Sequence, residues 1–178
     1  MDFEWMDDFV TDCLINYNKE WEWKITALYI PFNPRTRNKK ESASKSMIER
    51  YHKNMENLKR LREEWWIYIF TSAIIGTPDQ DLHAFEEELA TDKSLIENGY
   101  IDSALALSAT MLPWTKWFNE NKDNIVNLED YPGYSLFTTH HKTKNFTPSQ
   151  IEELMVKRNK ELSWVQKTYK RWTAFPNQ

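Results

Sequence analysis

The sequence predicts a mainly α protein: an irregular helical bundle built on two long amphipathic helices, at about 46–75 and 148–173, with at most a small two-stranded β element. Three observations predict it. Ile48, Tyr51, Met55, Leu58, Trp65 and Ile69 recur at steps of three and four, with Arg62 filling the gap in the row, which places them on one helical stripe. Ile151, Met155, Leu162, Val165, Tyr169 and Trp172 repeat the pattern, with Arg158 in the corresponding gap. Only three glycines occur in 178 residues, whereas all-β folds and phosphate-cradling loops use glycine freely. At this length one domain, 1–178, is expected.

In chain order, Asp2 is placed to cap a helix with Phe3, Met6, Val10, Cys13 and Tyr17 on one stripe. The period then changes. Trp21, Trp23, Ile25, Ala27 and Tyr29 alternate with Glu22, Lys24 and Thr26, as a half-buried strand does, although residues 21–30 also admit a helix. Its expected partner is Tyr134–Thr139. Pro31 and Pro34 end this element, and residues 33–45 form a polar, basic loop without apolar periodicity. The first long helix opens with the capping box Ser46…Glu49 and is stopped by Gly76 and Pro78.

Thr77-Pro78-Asp79-Gln80 forms a second capping box, ahead of a helix with Leu82, Phe85 and Leu89 inward and Glu86, Glu87 and Glu88 mostly outward. Asn98-Gly99 marks a turn, after which Ile101, Leu105, Ser108 and Leu112 suggest a helix of small residues, broken by Pro113. Trp114, Trp117 and Phe118 begin a short helix. Thr147-Pro148-Ser149-Gln150 then caps the last helix, with Phe146 and Ile151 spaced as a hydrophobic staple.

The single cysteine, Cys13, excludes an internal disulfide. With an acidic N-terminus and no apolar run long enough to span a bilayer, the expectation is a cytoplasmic protein without a membrane segment. Charge is segregated. Residues 33–62 hold ten Lys/Arg against three Glu and residues 138–178 hold eight against three, whereas residues 1–32 hold seven acids against two Lys and residues 63–137 fourteen against three. Such a bipolar chain can meet an anionic partner with one part and a basic partner with another.

Motifs with chemistry are weak. Glu49 and His52 have the Glu-x-x-His spacing of di-iron bundles, but no second such motif exists. Asp79, Asp81 and His83 cluster where acids are ordinary partners of a helix dipole. Ser94–Leu107, with Asp102-Ser103 at the attachment position, resembles the prosthetic-group loop of phosphopantetheine carrier proteins, except that Pro113 would cut short the helix that should follow.

The expectation is therefore a protein without catalytic, metal or cofactor residues. It is read as a protein-binding accessory subunit or inhibitor of a larger, nucleic-acid-handling complex. Its Lys-, Asn- and Ile-rich composition resembles that of proteins from AT-rich phages and mobile elements. Nine tryptophans support a binding surface. The candidate partner-binding residues are Arg35, Arg37, Lys39 and Lys40 in the basic loop and Trp164, Lys167, Lys170 and Arg171 in the last helix. Direct nucleic-acid binding by the basic loop and the last helix, with Lys142, Lys144, Lys157, Lys160, Lys167, Lys170 and Arg171 on phosphates and Tyr169 or Trp172 stacking, is the alternative, and a helical enzyme with an unrecognised site is the second.

Overall fold

The structure, a computed structural model, describes residues 6–30, 45–126 and 137–168, with side chains for all of these except 45–48, 50, 51 and 164–168. The order is α1 (Asp8–Glu20), β1 (Ala27–Tyr29), α2 (Lys45–Glu64), β2 (Tyr68–Ile75), α3 (Leu82–Glu97), β3 (Ser103–Ser108), α4 (Lys116–Glu120), a 3-10 turn (Lys122–Asn124) and α5 (Pro148–Thr168). The strands form one parallel sheet in the order β1-β2-β3. Parallel neighbours need a crossover, and α2 and α3 supply the two that this sheet requires. Among the described residues this is an α/β fold of five helices and three strands, which overturns the mainly α expectation.

Two misread segments account for the difference. The first long helix stops at Glu64, and the apolar run after it becomes β2. Trp66 takes a left-handed φ of 56°, which breaks the helix at a cost of order 1 kcal/mol. Beyond it, Ile69, Thr71, Ala73 and Ile75 are buried in strict alternation, the period of a strand. The run is rich in β-branched and aromatic residues, which fit a pleated surface. The second misread segment is SALALS, expected in a helix. It is β3, with Ala104, Ala106 and Ser108 buried and alternate residues more open. Small residues at every second position fit both readings.

A strand does form after Trp23, but it is only Ala27–Tyr29 and it pairs in parallel with β2, Leu28 opposite Ile69. The expected partner lies partly outside the described residues, and its Phe137–Thr139 portion is not a strand. The first helix begins later than expected, with Asp7 as cap, and it buries Thr11, Ile15 and Asn18 while Cys13 and Tyr17 are exposed. The cap of α3 is Asp81, whose carboxylate accepts from Ala84 N at 2.8 Å. Leu82 is consequently exposed, and Glu88, expected outward, is buried. The cap of α5 forms as expected: Thr147 N donates to Gln150 Oε1 at 2.9 Å, and Phe146 and Ile151 are both buried.

The chain divides into two compact units, residues 1–72 with 91–105 and 162–178, and residues 73–90 with 106–161. In the first unit, α1 is held to α2 by Asn57, which donates to Met6 O and to Asp8 Oδ1 at 3.3 and 3.1 Å. Lys53 and Asn57 together hold the Asp8 carboxyl below its usual range. Met55, Leu58 and Leu61 are buried on α2, and Ile67 and Ile69 beyond it.

The residue that fills the gap in this seam is the centre of the unit. Arg62 Nε donates to Asp102 Oδ1 at 2.7 Å and its Nη1 to Gly99 O at 2.9 Å. The second oxygen of Asp102 accepts from Ile69 N at 2.9 Å, and Asp102 N returns a bond to Ile69 O at 2.7 Å. Gly99 is required there: its φ is 75°, and a Cβ would sit 2.9 Å from Arg62 Nη1.

In the second unit, Gly76 ends β2 with φ 88°, and a Cβ there would meet Ile151 Cδ1 at 2.8 Å. Gln80 is fully buried, accepting from Gly76 N at 2.8 Å and donating to Glu88 at 3.0 Å. Met111, Phe118 and Ile125 form a small core with Trp117 packed against it.

Asp102→Ala should cost about 3–5 kcal/mol, because it leaves a buried guanidinium without its anion. Arg62→Met/Asp102→Leu should cost clearly less than that single change. Urea unfolding of both variants checks the ordering.

Candidate protein-interaction surface

In the first unit an unusual number of aromatic side chains is turned outward, and local chemistry explains how they are presented. At the end of α1, Asn18 is buried and its amide grips one backbone unit from both sides: Nδ2 donates to Ile25 O at 3.0 Å and Oδ1 accepts from Ile25 N at 2.7 Å. This closes residues 21–24 into a short loop. Lys24 Nζ also donates to Asn18 O. Trp21 and Trp23 stand on that loop, 59% and 80% exposed. Trp21 is stacked on Tyr17, with ring centroids 5.8 Å apart and planes 16° from parallel, so its indole is oriented before any partner arrives.

The loop leads directly into β1. Register pairs Ala27 with Tyr68 and Tyr29 with Phe70, which puts these four on one face of the sheet, opposite the face that buries Ile69 and Thr71. Tyr29 is 45% exposed, and Tyr68, Phe70 and Ser72 are half-buried. The Tyr29 ring lies 5.4 Å from that of Phe70, its hydroxyl is 2.7 Å from Ser72 Oγ, and Tyr68 lies 6.2 Å from Phe70. Parallel sheets are normally covered on both faces. Here one face carries an aromatic cluster in which Tyr29 is exposed and Tyr68 and Phe70 are half-buried.

Around the two tryptophans charge is balanced, with Lys19, Glu20, Glu22 and Lys24 all exposed, and the α1 carboxylates Asp8 and Asp12 pair with Lys53 and Arg60 of α2. Lys19 lies over the Trp65 ring at 5.5 Å, while Glu20 and Glu22 are exposed beside Trp21 and Trp23.

None of the sequence-predicted partner residues belongs to this surface as described. Arg35, Arg37, Lys39, Lys40, Lys170 and Arg171 lie outside the described residues, and Trp164 and Lys167 fall on α5 where the side chains are likewise outside them. Lys157, a candidate phosphate contact, is paired with Glu86, whose hydrogen bond raises its pKa. Glu49 and His52 are exposed, and no group of three metal-ligating side chains occurs among the described residues. His83 pairs with Glu87 at 3.6 Å, and Asp81 serves as a helix cap. Asp102-Ser103, likened to a carrier-protein attachment site, is instead the start of β3, with Asp102 held by Arg62. No described helix is long and apolar enough to cross a membrane.

The alternation at 21–29 assigns the odd-numbered residues to the core of a strand; only Ala27–Tyr29 is a strand, Ile25 is half-buried, and Trp21, Trp23, Ala27 and Tyr29 are exposed. No protein-family model matches the chain, and no curated protein matches it either.

In the second unit one titratable group is unusual. His141 is buried on a bridge with Ile125, its Nε2 2.8 Å from Gly76 O and its ring edge-on to Trp117 at 5.5 Å. Burial pushes its pKa below the ordinary 6.5, the Gly76 bond opposes the shift, and neighbouring His140 adds to it. Its described neighbours are the Gly76 carbonyl, the Trp117 ring and His140. Its pH signature follows from the sign of the shift. Below pH 6.5 the unfolded chain binds the proton more readily than the native state, so His141 contributes a loss of stability as pH falls through that value. Chemical denaturation from pH 7.5 to 5 should show a decline that is reduced in His141→Asn, whatever that variant's stability at neutral pH.

Proposed function

We propose that this chain is a protein-binding accessory subunit or inhibitor that engages its partner through the aromatic surface of α1, β1 and β2. The observation that carries this reading is the pair Trp21 and Trp23, largely exposed on a loop that the buried Asn18 holds closed. Exposed tryptophans on a fixed support supply large contact area with little side-chain entropy to lose, as binding hot spots do. Lys19 lies over Trp65 and Lys24 donates to Asn18 O, which leaves the exposed carboxylates of Glu20 and Glu22 to meet a basic protein partner. That the partner belongs to a larger nucleic-acid-handling complex is the reading of the basic segments 33–62 and 138–178. Those segments would serve the same complex, or its nucleic acid, from another part of the chain.

The test is a comparison of captured proteins. Wild type should retain a specific partner from lysate of its source. Trp21→Ala/Trp23→Ala should release it, each truncation costing about 2 kcal/mol or more if the residue is a hot spot. The double variant should keep its melting temperature, since both side chains are exposed. A partner retained equally by both proteins would reject this surface.

A further inference from the structure

The hydrogen-bond ladder at β1 has a consequence for how a partner binds. Ile30 N donates to Phe70 O at 2.9 Å, and Tyr68 N donates to Thr26 O at 2.8 Å. In a parallel ladder the backbone groups of alternate residues face opposite sides of the strand. Thr26, Leu28 and Ile30 therefore bond to β2, and the N–H and C=O groups of Ala27 and Tyr29 point away from it. Among the described residues no strand lies beyond β1, and Ala27 and Tyr29 are both exposed. The outer strand β3 differs: Ala106 N donates to the side chain of Asn159 at 3.0 Å. Short edges and edge charges are the usual protections against unwanted pairing. β1 is short, but its three residues, Ala27–Tyr29, carry no charge.

We propose that the outer edge of β1 accepts an extended, lysine- or arginine-bearing segment of the protein partner, which joins the sheet as a strand beside Ala27 and Tyr29. The inference rests on the protein-binding reading above and gives it a mode. Main-chain bonds supply the attachment, as in other strand additions. Charge selects the occupant: of the four charged residues entering β1, Lys19 lies over Trp65 and Lys24 donates to Asn18 O, while Glu20 and Glu22 are exposed next to Trp21 and Trp23. A cationic side chain can pair with these carboxylates or lie over an indole face. A second copy of this chain is a poorer occupant, because its own edge strand, Ala27–Tyr29, brings no cation to Glu20 and Glu22.

The probe is a short synthetic peptide alternating lysine with valine, titrated into the full chain and followed by NMR. The expected result is a downfield shift of the Ala27 and Tyr29 amides, with cross-strand contacts to the peptide backbone, and movement of the Trp21 and Trp23 indole signals. Ala27→Pro should weaken binding about tenfold or more while leaving the fold intact, because that N–H bonds nothing in the sheet. Should that variant fail to fold, N-methylation of the peptide on one edge must produce the same loss with the unaltered protein. A glutamate-for-lysine peptide should not bind.

Indole signals that move while the Ala27 and Tyr29 amides stay unchanged would overturn strand addition and leave the aromatic contact standing. No response at either place would overturn the proposal, and the tryptophan variants then decide the broader reading independently. Concentration-dependent shifts of Ala27 and Tyr29 without peptide would name a second copy as the occupant and overturn it too.

Discussion

The first unit depends on one carboxylate. Asp102 completes the ladder at Ile69, where it replaces a backbone acceptor, and with its other oxygen it neutralises Arg62. Arg62 in turn satisfies the carbonyl of Gly99. Three pieces of chain that are distant in sequence, the end of α2, the turn after α3 and the start of the sheet, are thereby tied through two side chains. Burying an ion pair is seldom a net gain over well-packed apolar residues. What it supplies here is direction: Arg62 has donors for both Asp102 and the turn, so β2 and β3 can be set side by side in only one way.

That anchoring matters for binding because it acts on the strand that supports β1. Residues of β2 alternate between the two ladders, Tyr68 bonding toward β1 and Ile69 toward Asp102. β1 is only Ala27–Tyr29 and has little burial of its own. Its position is inherited from β2 at one side and from the Asn18 grip on Ile25 at its entry. Under the proposed function, a partner that docks on Trp21, Trp23 and Tyr29 would meet side chains whose backbones are already fixed, which lowers the ordering cost of association.

Much of the helical structure was legible, because it rests on local chemistry. Thr147 and Gln150 form the cap that their spacing implies, and Met55, Leu58, Met155 and Leu162 are buried as their period requires. The sheet was not legible for a physical reason. Trp65 to Ile75 continues the apolar periodicity of α2 for one more turn, and a continuous apolar run fits a helix end as well as a buried strand. What decides is the left-handed turn at Trp66 and the distant carboxylate of Asp102, and neither is local to the run. Arg62 was visible as a polar break in a seam, but its partner lies beyond a helix. The exposed aromatic surface was not legible: alternation placed Trp21, Trp23 and Tyr29 on the buried side of one strand, whereas only Tyr29 is in β1 and all three are exposed.

The central claim is that β1 is a fixed strand with one edge bonded and the other free. Hydrogen exchange at single residues in the isolated protein tests it directly. The account predicts alternation along the strand: slow exchange at Leu28 and Ile30, whose N–H groups enter the sheet, and fast exchange at Ala27 and Tyr29. Slow exchange at all four amides would mean that the outer edge is already covered, and uniformly fast exchange would mean that β1 is not part of the sheet. Either result would contradict the account.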